Sequence, residues 1–122
     1  TMCRNAQTHV FALHKPAALL TAVQHGDLSK ISKEMFNRFC DVVLPQHKEI
    51  CALQEMIAQA GAIGVMMSGS GSAVFGLFEV KKETVAARTA QMLRNKGYFA
   101  AAVSPLTHAP EVQISQKIEN WP

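Results

Sequence analysis

Two long apolar runs near the middle of the chain are separated by a short stretch of serine and glycine. The runs cover 62–67 and 73–80, and each has the length and the nearly continuous apolar character of a buried strand. Serine and glycine alternate between them, at 68–71. This pattern predicts a β-hairpin with a tight turn at its tip.

The chain before the hairpin has the period of amphipathic helices. Apolar side chains three, four and one residues apart predict a helix from 28 to about 42, with Asn37 inside it: Leu28, Ile31, Met35, Phe36 and Phe39. Asp27 is the expected N-cap of this helix. A shorter helix is predicted from Ala17 to Gln24, and a third from about 46 to 60, each followed by a glycine stop.

After the hairpin, the pattern predicts a helix from Glu83 to Asn95, stopped by Gly97, and then a strand from Tyr98 to Ser104. We expect an α+β domain over 1–104, with an antiparallel-rich sheet and helices on one face. Residues 105–122 are more polar and are expected to form a loosely docked tail.

Composition narrows the class of protein. The chain has 122 residues, 48% of them apolar and 17% charged, which suits one globular domain. A net charge of +3 from scattered basic residues argues against nucleic-acid binding. No apolar run reaches the roughly 18 residues of a membrane span. Three cysteines without paired spacing predict reduced thiols and a cytoplasmic protein.

Few residues here are candidates for chemistry. His47 and Cys51 are four apart on a predicted helix, but no second pair of ligands accompanies them, so no metal is expected. The Gly/Ser stretch has two interpretations. Its backbone N–H groups and hydroxyls suit a bound phosphate, and equally a tight hairpin simply needs glycine.

The stretch from Ala60 to Phe78 resembles the third conserved motif of the GHMP small-molecule kinases. Three upstream segments are similar to the family in order and spacing: Gly26–Asp27–Leu28, Asn37–Arg38–Phe39 and the segment at Pro45. The resemblance extends over about 10–104. Within the family it is greatest to the branch of the non-mevalonate isoprenoid pathway.

This resemblance implies the C-terminal half of a two-domain kinase, with a ferredoxin-like sheet and extra N-terminal helices. ATP, with Mg²⁺, would be bound mainly by the kinase's own N-terminal domain, which would also carry the catalytic residues. Five loop residues would line the interdomain cleft, Ser70 being the best side-chain candidate: Ser68, Gly69, Ser70, Gly71 and Ser72. The chain alone would then be inactive, and its exposed interdomain flank would allow self-association.

Two other classes of protein remain open at this point. A ferredoxin-like ligand-binding or regulatory module would use the loop to hold an effector, without catalysis. A structural domain would use it only as a turn. If the chain belongs to a kinase, homoserine and mevalonate-type compounds are alternative substrates, and the sequence around the loop argues against them.

Overall fold

The computed structural model describes residues 16–108. Its elements, in chain order, are α1 (Ala17–His25), α2 (Leu28–Glu34), α3 (Phe39–Val43), α4 (Lys48–Gln59), β1 (Gly64–Met67), β2 (Val74–Leu77), a short 3-10 turn (Val80–Lys82) and α5 (Glu83–Asn95). The expectations for 1–15 and for most of the polar tail lie outside the described residues.

The predicted hairpin is confirmed. β1 and β2 pair antiparallel, with Gly64 opposite Leu77 and Met67 opposite Val74. The Ser68 N–H extends this pairing by donating to the Ala73 carbonyl at 2.8 Å. The Gly/Ser stretch therefore begins directly where the strands end.

The helix boundaries follow the predicted caps and stops. The Asp27 side chain accepts a hydrogen bond from the Lys30 N–H at 3.1 Å, as an N-cap does. Gly26, Gly61 and Gly97 follow α1, α4 and α5 with positive φ. After α4, the Gly61 N–H donates to Ala58 and the Ala62 N–H to Ile57, which is the Schellman pattern.

The prediction of one helix from 28 to about 42 is wrong. α2 ends at Glu34, Met35 has the extended ψ of 135°, and α3 begins at Phe39. The Asn37 side-chain oxygen accepts the Phe39 N–H at 3.0 Å, a local bond that competes with a continuous helix. Phe36 and Phe39 consequently lie on the surface instead of in a buried stripe.

The core lies between the hairpin and the two long helices α4 and α5. Ile57, Val65 and Leu93 form its buried centre. Gly76 lets α4 approach closely, because an added β-carbon there would overlap the Ile57 side chain. Two polar side chains are buried with the core, Gln54 and Thr89, and the Thr89 hydroxyl donates to the Val85 carbonyl at 2.8 Å.

The ferredoxin-like sheet expected from the resemblance is not observed. The described residues contain a two-stranded sheet, and the predicted strand at 98–104 has no ladder partner. A strand requires a neighbour for its backbone groups, and here a cavity of about 830 Å³ lies between β2 and 98–105. The expectation of helices on one face is also wrong, since Gly64 faces α2 whereas the next residue, Val65, packs in the core with α4.

Between residues 16 and 108, no helix is both long enough and apolar enough to cross a bilayer.

Candidate functional site

The Gly/Ser loop that joins β1 to β2 is exposed from Ser68 to Ala73. Its first four residues form a turn closed by a hydrogen bond of 3.1 Å from the Gly71 N–H to the Ser68 carbonyl. Gly69 and Gly71 have φ of 56° and 93°, in the region that other residues rarely adopt. The loop conformation therefore depends on glycine at these two positions.

Within 69–72, three backbone N–H groups have no acceptor among the described residues. They belong to Gly69, Ser70 and Ser72, and all three residues are exposed. The Ser68, Ser70 and Ser72 side chains add hydroxyl donors on the same short segment. A loop with several free donors is chemically suited to an anionic ligand such as a phosphate group.

Gly71 is also in close contact with the core. A β-carbon at this position would lie 2.9 Å from the Met67 sulfur, and Met67 is only 1% exposed. At Gly69, by contrast, an added β-carbon would meet nothing within 4 Å. Gly69 is therefore constrained by its backbone conformation alone, and Gly71 by its conformation and by contact with Met67. Substitutions at the two positions can distinguish these constraints.

Asn37 connects the loop to the break between α2 and α3. Its carboxamide nitrogen donates to the Met67 carbonyl at 2.7 Å and to the Gly69 carbonyl at 2.8 Å. Its oxygen accepts the Phe39 N–H at the start of α3. One half-buried side chain thus satisfies two carbonyls on the loop side and caps a helix on the other.

Ser32 makes a similar contact at the opposite end of β1. Its hydroxyl donates to the Ile63 carbonyl at 2.9 Å, just before the strand begins. Ser32 and Asn37 together satisfy backbone carbonyls at both ends of β1 with side chains. The segment from α2 to α3 therefore does part of what a neighbouring strand would do.

Cys40 lies next to this arrangement, on α3. Burial raises the pKa of the Cys40 thiol, and a backbone hydrogen bond at Met67 opposes part of that shift. Cys40 is a free cysteine, as expected. Cys51, half-buried near the start of α4, is disulfide-bonded, which corrects the expectation of a reduced thiol there.

The large cavity begins at the end of the same loop. Ser72 and Ala73 line it together with β2, the inner face of α5 and the segment 98–105. Much of the lining is apolar, including Ile57, Leu93 and Phe99. The polar loop and the apolar cavity are therefore adjacent parts of one surface.

The structure brings the predicted site residues 68–72 together in one exposed loop and adds Asn37 as their neighbour. Ser32 was not predicted as a neighbour of the hairpin, although a serine between Ile31 and Met35 on an apolar helix face was a usable clue. Cys51 is disulfide-bonded and so does not offer His47 a thiolate as a second metal ligand, and the His47 Nδ1 lies 2.9 Å from a Glu49 oxygen. Within residues 16–108, no group of three or more His, Cys, Asp or Glu side chains is placed to hold a metal ion.

Comparison with known proteins places this loop in a family. The sequence model of the family described as GHMP kinases C terminal matches residues 19–98, which include all of α2 to α5 and the hairpin. The chain belongs to the GHMP kinase family. The matched region is the family's C-terminal part, in agreement with the resemblance drawn from the loop and its flanks.

Several curated GHMP kinases are similar to the chain, and they carry the name 4-diphosphocytidyl-2-C-methyl-D-erythritol kinase. The protein from Gloeobacter violaceus is 44% identical over 63 residues, which is 52% of this chain and 21% of the relative. The Acaryochloris marina protein is 38% identical over 65 residues, 53% of this chain and 21% of the relative. The Nostoc punctiforme protein is 38% identical over 80 residues, 65% and 25% respectively.

The matched part of the chain spans about a fifth to a quarter of the length of these relatives. No solved structure gives a significant match to the chain. The GHMP assignment therefore rests on sequence similarity. The geometry of the loop and its neighbours is that of this chain's own structure.

Proposed function

We propose that this chain is the C-terminal half of an ATP-dependent kinase that phosphorylates 4-diphosphocytidyl-2-C-methyl-D-erythritol in non-mevalonate isoprenoid biosynthesis. The observation that carries the proposal is the GHMP match over 19–98 together with relatives named for that kinase activity. The Gly/Ser loop lies within the matched region. Cytoplasmic location remains a prediction, as does the division into a domain at 1–104 and a tail at 105–122.

The loop is assigned the phosphate and substrate end of the cleft between two domains. Ser68, Gly69, Ser70, Gly71 and Ser72 would line this cleft, with backbone N–H groups providing most of the contacts. The N–H groups of Gly69, Ser70 and Ser72, which belong to exposed residues and have no acceptor among the described residues, support this role. Phosphoryl transfer depends mainly on positioning and on stabilisation of negative charge, which such donors supply.

Among residues 16–108 we assign no catalytic base and no phosphate-anchoring lysine for the reaction. ATP and its Mg²⁺ would be held mainly by the N-terminal domain, which would also supply the catalytic side chains. The chain alone is therefore expected to be inactive. Its contribution would be to complete the cleft and to support the conformation of the bound phosphates.

The surface around β2 supports an N-terminal partner domain. Among the described residues β2 pairs only with β1, and β2 lines the cavity together with 98–105. Phe99, Val103 and Leu106 are largely exposed along 98–106. An unpaired strand edge next to exposed apolar side chains favours association with another part of the protein. Without that part, the same surface would promote self-association of the fragment.

A non-catalytic ligand-binding module is the second candidate function, and the large apolar cavity beside the loop is the observation that favours it. A module of this kind would bind a small molecule without any ATP-dependent turnover. The two functions therefore differ in a measurable product, ADP.

The test measures ADP release by the longer kinase, which contains this chain and its N-terminal domain, with each of several phosphoryl acceptors. ADP release with 4-diphosphocytidyl-2-C-methyl-D-erythritol, and much less with homoserine or mevalonate, is the expected result. Release with homoserine or mevalonate instead would reassign the substrate. A folded protein that releases no ADP with any of them would favour the binding module.

A further inference from the structure

Asn37 occupies an unusual position, between two helices and against the loop proposed to bind phosphate. Its carboxamide nitrogen donates to the carbonyls of Met67 and Gly69, and its oxygen caps α3 at Phe39. Its two donor bonds, at 2.7 and 2.8 Å, are short for an amide nitrogen. We propose that Asn37 is a positioning residue, which fixes the Gly/Ser loop relative to α3 in the conformation that receives the ligand.

The two carbonyls that accept the Asn37 donors lie where the chain leaves β1 and enters the turn. Met67 is the last residue of β1, and Gly69 is inside the turn. A single NH₂ group that binds both carbonyls fixes the direction in which the chain leaves the strand. The carbonyl of Gly69 then points towards Asn37. The N–H of the same peptide unit, which belongs to Ser70, points the opposite way and has no acceptor among the described residues. The orientation of one peptide thus helps to determine where the free donors of the loop lie.

Asn37 also lies at the break between α2 and α3. The same side chain that binds the loop also holds the start of α3, so α3 and the loop cannot shift independently without breaking one of these bonds. Ser32 fixes the other end of β1 through the Ile63 carbonyl. β1 is therefore held by side chains at both ends, and Asn37 holds the end that leads into the loop.

These contacts require the asparagine side chain, because its nitrogen donates two hydrogen bonds and its oxygen accepts one. An aspartate would keep an oxygen for the Phe39 N–H but would place a carboxylate against two carbonyl oxygens, which repel it. Protonation of that aspartate would restore one donor. An Asn37→Asp variant should therefore lose the loop contacts at neutral pH, keep the helix cap, and regain part of the loop contact in acid.

The nearby charges do not explain such a pH dependence by themselves. β1 and the Gly/Ser loop contain no titratable side chain. The titratable or charged groups nearest Asn37 in the chain are Lys33 and Glu34 at the end of α2, and Arg38, Cys40 and Asp41 on the α3 side. All of them are shared by the variants and the parent chain. A change that appears only in Asn37→Asp therefore belongs to the introduced carboxyl group.

The test is amide hydrogen exchange in the 122-residue chain, expressed as protection factors so that the intrinsic effect of pH is removed. The reporters are the hydrogen-bonded N–H groups of Ser68 and Gly71 in the loop and of Leu44 at the end of α3. In Asn37→Asp at neutral pH we expect protection at Ser68 and Gly71 to fall about tenfold, with Leu44 little changed. In acid, the loop values should move back towards those of the parent chain.

Asn95→Asp is the matched control, since Asn95 lies at the end of α5 and uses its oxygen to accept a hydrogen bond from Gln91. It makes the same chemical change far from the loop in sequence and should leave Ser68 and Gly71 protected. Unchanged loop protection in Asn37→Asp would overturn the proposal. Equal loss at Leu44 and in the loop, with no recovery in acid, would also overturn it, because that result describes a general structural role.

A second measurement needs no variant. The carboxamide protons of Asn37 should exchange about tenfold more slowly than those of Asn95, whose nitrogen has no acceptor within the described residues. Equal exchange rates would contradict the proposal even if Asn37→Asp failed to fold.

The consequence for catalysis rests on the proposed function. In the longer kinase, Asn37→Asp should lower kcat/KM for the acceptor by about tenfold relative to Asn95→Asp, because the loop is displaced. Changed loop exchange with unchanged turnover would support the positioning role of Asn37 and count against the loop's role in phosphoryl transfer. The two proposals can therefore fail separately.

Discussion

The carboxamide nitrogen of Asn37 lies 2.8 Å from the carbonyl oxygen of Gly69, although the two residues are 32 positions apart in the chain. This bond joins the break between two helices to the tip of the hairpin. It explains why the helix predicted through Asn37 is interrupted, because the side chain is used to hold the loop and to cap α3. Local helix propensity is overridden here by a tertiary contact.

The loop glycines should differ in their tolerance of a side chain. Gly69→Ala places alanine at a φ of 56° in open space and should reduce the free energy of unfolding by about 1–2 kcal/mol. Gly71→Ala adds a contact with the buried Met67 sulfur, and overpacking of this kind costs about 1–3 kcal/mol more. Urea unfolding of the two variants measures the difference.

Gly69→Asn is the control for this pair, since asparagine tolerates the left-handed region better than alanine. It should be less destabilising than Gly69→Ala. Equal losses for Gly69→Ala and Gly71→Ala would show that the contact between Gly71 and Met67 does not restrict the loop.

The packing of β2 on α4 should depend on Gly76. A β-carbon at Gly76 would overlap the Ile57 side chain and also lie 3.3 Å from Ala62, so Gly76→Ala should cost about 1–3 kcal/mol. In an Ile57→Ala background, the space is available and the cost of Gly76→Ala should fall. A double-mutant cycle of unfolding free energies checks this, and simple additivity of the two substitutions would contradict the contact.

The N-cap of α2 should matter more than the ion pair beside it. Asp27→Ala removes the acceptor of the Lys30 N–H and should cost about 1 kcal/mol. The Lys30 ammonium lies 4.0 Å from the Asp27 carboxylate at an exposed position, and such pairs contribute little. Lys30→Gln should therefore change the thermal midpoint much less than Asp27→Ala, and the reverse order would show that the charge, not the cap, stabilises this helix.

Cys40 gives a prediction for pH. Burial raises the pKa of its thiol above the unfolded value, so the folded chain favours the protonated form. The associated stability is complete below the unfolded pKa and is lost as the pH rises through the folded pKa. Alkylation of Cys40, followed by peptide mass spectrometry, should therefore begin at higher pH in the folded chain than in urea.

Cys40→Ser provides the comparison for stability at alkaline pH. This variant should lose less stability than the parent chain over the range in which the thiol titrates. An alkylation profile that is the same in the folded and unfolded chain would contradict the burial of this thiol.

Much of the fold is determined by local sequence. Helix stops at Gly26, Gly61 and Gly97, the N-cap at Asp27 and the Gly/Ser turn each follow from the chemistry of one or two residues, and each lies where it was predicted. The five loop residues were also proposed from the sequence, and their role as a site stays a prediction. Their tight spacing in the chain guarantees that they lie together whatever the rest of the fold does.

The errors concern features that depend on distant contacts. The period of the apolar residues from Leu28 to Phe39 suits a helix, but it contains no information on the carbonyls that Asn37 binds 30 and 32 residues later. The apolar run at 98–104 looks like a strand, yet a strand exists only when a neighbour pairs with it, and no described strand does so. Sequence periodicity identifies which residues are apolar, and the partners decide what they form.

The most direct test of the central claim is the turnover of a Gly71→Ala variant of the longer kinase. ATP and 4-diphosphocytidyl-2-C-methyl-D-erythritol would be supplied, ADP release followed, and the rate normalised to the folded fraction. If the loop supports the phosphate and substrate end of the cleft, Gly71→Ala should lower kcat/KM by about tenfold or more, and Gly69→Asn should lower it less. Turnover by Gly71→Ala equal to that of the parent enzyme would contradict the assignment of this loop to the site.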